Sequence, residues 1–184
     1  MAISSFYTEQ ELLNMGFKSI GKDCKISRKS SFYGCSHISI GDNVRIDDFC
    51  IISGKVTLGS HIHISAYVAL YGAEGIVFED YTGISARSTI YSAMDDFSGD
   101  YLIGPIHPED STHVTGGKVI VRKYTQVGAN VLVFPGLTIG EGCVVGACSM
   151  VRKDLAPWGI YYGIPAIRMK ERSKNLLEFI NKEA

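Results

Sequence analysis

A chain of 184 residues with 18 Lys and Arg against 19 Asp and Glu has room for one domain, and its net charge of −1 argues against broad electrostatic binding to nucleic acid or an anionic membrane. A hydrophobic fraction of 46% suits a packed core and excludes a disordered chain. The 20 glycines, and the 34 Ile and Val against only 10 Leu, favour strands joined by tight turns over helices.

The chain begins MAISSFYTEQ, without a basic stretch leading into an apolar run, so no secretory signal is expected. No run approaches the ~18 consecutive apolar residues of a membrane helix. A cytoplasmic protein with reduced cysteines is the expectation, since the five cysteines (Cys24, Cys35, Cys50, Cys143, Cys148) are odd in number and form no C-x-x-C. Thr8 and Glu11 make a capping box ahead of Leu12-Leu13, and Gly16 is a stop, which predicts a short helix over 8–15.

From Ile20 onward a large apolar residue recurs every six positions: Ile20, Ile26, Phe32; then Ile40 through Ile46, Ile52, Leu58, Ile64, Leu70 and Ile76; after a two-residue slip, Phe78, Ile84, Ile90; and again Val121, Val127, Val133, Ile139, Val145, Val151. A period of six is neither helical nor that of a half-buried strand. It fits short strands joined by tight turns, three to a triangular coil, with the recurring residues stacked inside. Eighteen distinct hexads give six coils, a prism roughly 29 Å tall at ~4.8 Å per coil. Residues 94–118 break the period and carry two of the five histidines and a cluster of acids; a long excursion from a rigid scaffold is the expected place for function. Over 170–182, Leu176, Leu177, Phe179 and Ile180 predict an amphipathic C-terminal helix. One domain, 1–184, is expected: a cap over 1–19, a β-helix over 20–93 and 119–156, the 94–118 loop, and a tail with a helix over 157–184.

At this point the residues carry a resemblance. VGANVLVFPGLTIGEGCVVGACSMVRKDL from Val127, followed by GIYYGIPAIRMKER, is similar to the C-terminal half of the hexapeptide-repeat acyltransferases, with their PG-x-TIG, VGA-x-S-x-V-x-KD and GIPA signatures. ELLNMGFKSIG, IDDFCIISG, YVALYG and YSAMDDFSG resemble the branch of sugar O-acyltransferases of surface-polysaccharide biosynthesis. The resemblance implies a left-handed parallel β-helix, a hand opposite to the usual crossover preference and taken from the family alone. It also implies a homotrimer with acetyl-CoA in clefts between prisms, and an active-site loop at 94–118. The reaction implied is transfer of an acetyl group to a sugar hydroxyl, the alternative being N-acetylation of a nucleotide-linked amino sugar.

The family's base is a His in a motif like TIYTA-x-HP; here Thr89-Ile90-Tyr91-Ser92-Ala93-Met94-Asp95 puts an aspartate in its place. Three arrangements would supply a base: Asp95 or Asp96 itself, His107 returning from the loop, or His63 from a neighbouring subunit. Asp95 and Asp96 as a loop-stabilising pair, and His61 or His63 as surface side chains, are the bland counterparts. On the cofactor side the resemblance implies Ala129 and Ala147 beside the pantetheine, and Arg152, Lys153, Arg168 and Lys170 near the nucleotide phosphates. His61-x-His63 and His107-x5-His113 make no matched zinc trio, so no metal is expected. A non-enzymatic structural trimer is the remaining competitor, and coenzyme-dependent stabilisation separates it.

Overall fold

The structure, a computed structural model, describes residues 4–183; residues 1–3 and 184 of the expected cap and tail lie outside the described residues. The six-residue register becomes three parallel ladders, one per face of a prism. On the first face Ile20, Ile40, Leu58, Phe78, Val121, Ile139 and Leu155 pair in turn. On the second face the ladder is Ile26, Ile46, Ile64, Ile84, Val127, Val145 and Tyr161. The third runs from Phe32 through Ile52, Leu70, Ile90 and Val133 to Val151.

Six coils close and a seventh begins, so the expected six were one partial coil short. The missed rungs, Leu155 and Tyr161, lie where Ile139 to Leu155 spans 16 residues rather than 18 and steps out of register. The slip at Ile76 and Phe78 also has a structural reason. Both point inward, and Ile76 joins a second column of Ile38, Val56 and Val119 that widens the first face. Nearly every rung is wholly buried, each fully buried Ile or Val contributing about 1.5–3 kcal/mol.

The tight turns at the corners use Asp23, Asn43 and Asn130 in the left-handed conformation, but larger side chains as well. The third residue after many rungs has a positive φ, and it is bulky at His61 (59°), Tyr81 (57°), Tyr124 (63°) and Trp158 (57°). The strain of that conformation is offset by stacking along the corner: His61 lies flat on Tyr81 at 4.5 Å, and Tyr81, Tyr124 and Trp158 continue the column. Glycine is required instead where coils touch. A Cβ on Gly41 would stand 2.6 Å from the Gly59 carbonyl carbon of the next coil.

Both ends are closed. Helix α1 (Glu9–Asn14) has the predicted capping box: the Glu11 N–H donates to Thr8 Oγ1 and the Thr8 N–H to Glu11. Arg28 grips the Glu11 carboxylate with both terminal guanidinium nitrogens. At the other end the expected helix over 170–182 is corrected. Ile167–Glu171 is a strand that turns back antiparallel onto Gly159–Tyr162, and only Leu176–Glu183 (α2) is helical. The hairpin covers what would otherwise be an open sheet edge. It is held by Arg172, which donates to the carbonyls of Tyr124 and Gly142. All five cysteines are free thiols, and burial pushes Cys50 up to about 11. Among the described residues no helix is long and apolar enough to cross a membrane.

Candidate active site

The 94–118 excursion leaves the prism after the Ile90 rung and returns at Val119. It is not the irregular loop its lack of hexads suggested. Ala93–Asp95 and Val114–Gly116 pair antiparallel as a short ribbon, with a 3-10 turn at Glu109–Ser111. The two adjacent aspartates at its base have different work. Asp96 Oδ1 accepts the Ser98 N–H at 2.7 Å and its Oδ2 meets His113 Nδ1 at 3.1 Å, while Tyr101 leans on the His113 ring. These bonds, the Ser98 N–H first, hold the Asp96 carboxyl below the usual carboxylate range. Asp96 and His113 therefore brace the loop. Asp95 has only a long bond from the Gly104 N–H, 3.4 Å, and faces open space.

That space is a concavity lined by Met94, Asp95, Asp96, Phe97, Phe134 and Arg152, joined by a smaller one at Tyr91 and Ala93. Part of its wall comes from the position just after the last three third-face rungs, Tyr91, Phe134 and Arg152. Tyr71 and Tyr91 stack at 5.1 Å, and one and two coils further on come Phe134 and Arg152, whose guanidinium lies 5.4 Å from the Phe134 ring centre. His107 is half-buried nearer the loop tip and lines neither concavity.

His63 lies elsewhere. It stands on the outer side of the second face beside Arg45, and its Nε2 is 2.7 Å from Asp47 Oδ2. Arg45 Nε donates to the other oxygen of Asp47 at 2.7 Å. Burial raises the Asp47 carboxyl, but the His63 and Arg45 hydrogen bonds outweigh it and leave it below its ordinary value. A separate concavity holds His61, His63, Tyr81, Gln126 and Ile180 of α2. One chain alone does not bring His63 to Asp95.

The expected cofactor residues also divide. Ala129 and Ala147 lie on one edge of the third face, in a column of small residues that includes Ala66 and Ala86, linked coil to coil by backbone bonds. Arg152 and Lys153 lie on the opposite edge, beyond the Met150–Val151 strand. Between them the outward row is Ile51, Ala69, Thr89, Leu132 and Met150. Arg168 and Lys170 stand on the closing strand, with Arg168 paired to Glu171 at 2.5 Å. Among the described residues no cluster of His, Cys, Asp and Glu is arranged to hold a metal ion.

The dTDP-4-amino-4,6-dideoxy-D-glucose acyltransferase of Escherichia coli is 42% identical to this chain over 177 residues, which cover 95% of this chain and 92% of that enzyme. AntD, an N-acyltransferase from Bacillus cereus, is 49% identical and superposes with a TM-score of 0.96 over 99% of this chain and 98% of its own. The chain belongs to the hexapeptide-repeat acyltransferases. No protein-family model matches it. A more distant hexapeptide-repeat acetyltransferase of Vibrio cholerae, solved with acetyl-coenzyme A, is 19% identical with a TM-score of 0.64 over 90% of this chain and 76% of that one, a likeness of fold alone. AntD has been solved with coenzyme A and dTDP, with dTDP-4-amino-4,6-dideoxyglucose and with 3-hydroxybutyryl-CoA. Its solved variants replace a serine and an aspartate that lie ten residues apart. In this acyltransferase only one serine, Ser85, is followed ten residues later by an aspartate, and that aspartate is Asp95. Ser85 stands in none of the motifs read from the sequence. It is half-buried on the second face, with Gln126 Nε2 3.5 Å from its hydroxyl.

Proposed function

We propose that this acyltransferase moves an acyl group from acyl-CoA to the amine of a nucleotide-linked amino sugar, dTDP-4-amino-4,6-dideoxyglucose or a close relative. The observation that carries the reading is Asp95, a carboxylate in a concavity without a histidine, at the position where the sugar O-acetyltransferases place their base. Such a carboxylate can hold the ammonium group of an amino sugar and take its first proton, which frees the nitrogen lone pair. Once that proton has passed on to solvent, the lone pair adds to the thioester carbon, a second N–H proton passes to Asp95, the C–S bond breaks, and the departing thiolate takes up this proton from Asp95. The matching Ser85–Asp95 spacing and the near-complete likeness to AntD support the same acceptor.

The working unit is a homotrimer. Asp95 and the Ala129–Ala147 column occupy opposite edges of the third face, and cyclic head-to-side association of identical prisms brings unlike edges together. Coenzyme A then runs past Ala129 and Ala147, with Lys153, Arg168 and Lys170 available to its phosphates.

The test is acceptor choice. With acetyl-CoA, free thiol should appear with the dTDP-linked amino sugar and not with neutral sugars. Turnover on a neutral sugar alone would restore hydroxyl transfer, the reading that the motifs first suggested.

A further inference from the structure

Resting on that reading, we infer that Arg152 binds the diphosphate of the acceptor nucleotide and not the phosphates of coenzyme A. The family motif assigns Arg152 to the coenzyme, but its surroundings fit another charge. It shares one concavity with Asp95, the residue placed at the reacting amine. From a thioester sulfur, 13 bonds lead along the pantetheine arm to the first coenzyme phosphorus, a reach of roughly 16 Å at ~1.2 Å per bond. From the amine of a 4-amino sugar, across the ring and through the glycosidic oxygen, the nearest phosphorus lies about 7 Å away by the same reckoning. The concavity has a volume of about 470 Å³, about 10 Å across if compact. It spans the second distance and not the first.

The chemistry agrees. Arg28, Arg45, Arg122 and Arg168 are each engaged by a carboxylate. Among the described residues Arg152 has no carboxylate partner, and its guanidinium rests over the Phe134 ring. That leaves its planar fork of donors for a phosphate oxygen pair. Phe134 and Tyr91 supply an apolar wall on which the 6-deoxy face of the sugar can lie. Asp95 and Arg152 would then read the two charges of one acceptor, its ammonium and its diphosphate. A neutral sugar has neither.

Calorimetric titration of the intact protein with dTDP, and separately with CoA, tests this. In Arg152→Ala the dTDP dissociation constant should rise about 10- to 100-fold, the loss of a charge-assisted pair. CoA affinity should stay within about twofold. Arg152→Lys keeps the charge without the fork and should fall between, with the amino-sugar KM rising more than kcat falls. It also serves as the second reading should the alanine variant fold poorly. If CoA binding weakens while dTDP binding holds, or if neither changes, the assignment is overturned. Wild-type protein that binds CoA but not dTDP would overturn the acceptor reading itself, and the assignment with it.

Discussion

Ser88→Ala tests how the coils that carry the site are held together. Ser88 is wholly buried at the corner between the second and third faces. Its hydroxyl donates to the Gly128 carbonyl at 2.7 Å and accepts the Val131 N–H at 3.1 Å, so one side chain satisfies two backbone groups of the next coil. Alanine removes little volume but leaves both groups without that partner, and each orphaned group costs about 1–3 kcal/mol. With partial relaxation the loss is about 2–4 kcal/mol, and for a chain of this size each kcal/mol shifts Tm by about 2–4 °C, giving roughly 5–15 °C in all. Thermal unfolding at fixed protein concentration measures it, because an oligomer's Tm depends on concentration. Thr57→Ala, on the exposed outer row of the first face, is the control and should change stability by under about 0.5 kcal/mol. If Ser88→Ala melts with wild type, buried hydroxyl bridges do not hold these coils.

Three further outcomes are expected. Asp95→Asn should lower kcat by about 10²- to 10⁴-fold while dTDP still binds, read by steady-state kinetics and titration; an unchanged kcat would remove Asp95 from the proton path. The Glu11 carboxyl is lowered from 4.5 to about 2, first by the Arg28 guanidinium and then by the Thr8 N–H. Because its folded value is depressed, the stability it gives to α1 is present above about 4.5 and is lost as pH falls toward about 2. Glu11→Gln should abolish that dependence in amide exchange of the Leu12 region; a persisting dependence would assign it to another group. Dialysis against a chelator should leave turnover intact, and loss restored by zinc alone would contradict the metal-free reading.

Much of this fold was legible because hexad patterning acts directly on packing. A residue such as Ile64 that recurs at six must face inward once three strands close a coil, and the capping box at Thr8 and Glu11 is equally local. The misses involve partners that the period does not encode. Tyr161 escaped because the last coils shorten. Lys170 and Glu171 read as the start of a helix because the pairing of the Ile167–Glu171 strand depends on the hairpin from Gly159. The His63–Asp47 bond joins neighbouring coils 16 residues apart, and counting coils would have suggested it. In the site, Asp95 stood out through its departure from a motif. Nothing in the motifs marks Ser85, and for Arg152 we propose a ligand other than the one its motif implies.

The central claim is amide formation on a nucleotide-linked sugar. The direct measurement is the mass of the product formed from acetyl-CoA and dTDP-4-amino-4,6-dideoxyglucose, before and after mild alkali. An acetyl group that survives treatment is on nitrogen, as this account predicts. An acetyl group lost to alkali is an ester on oxygen and would contradict it.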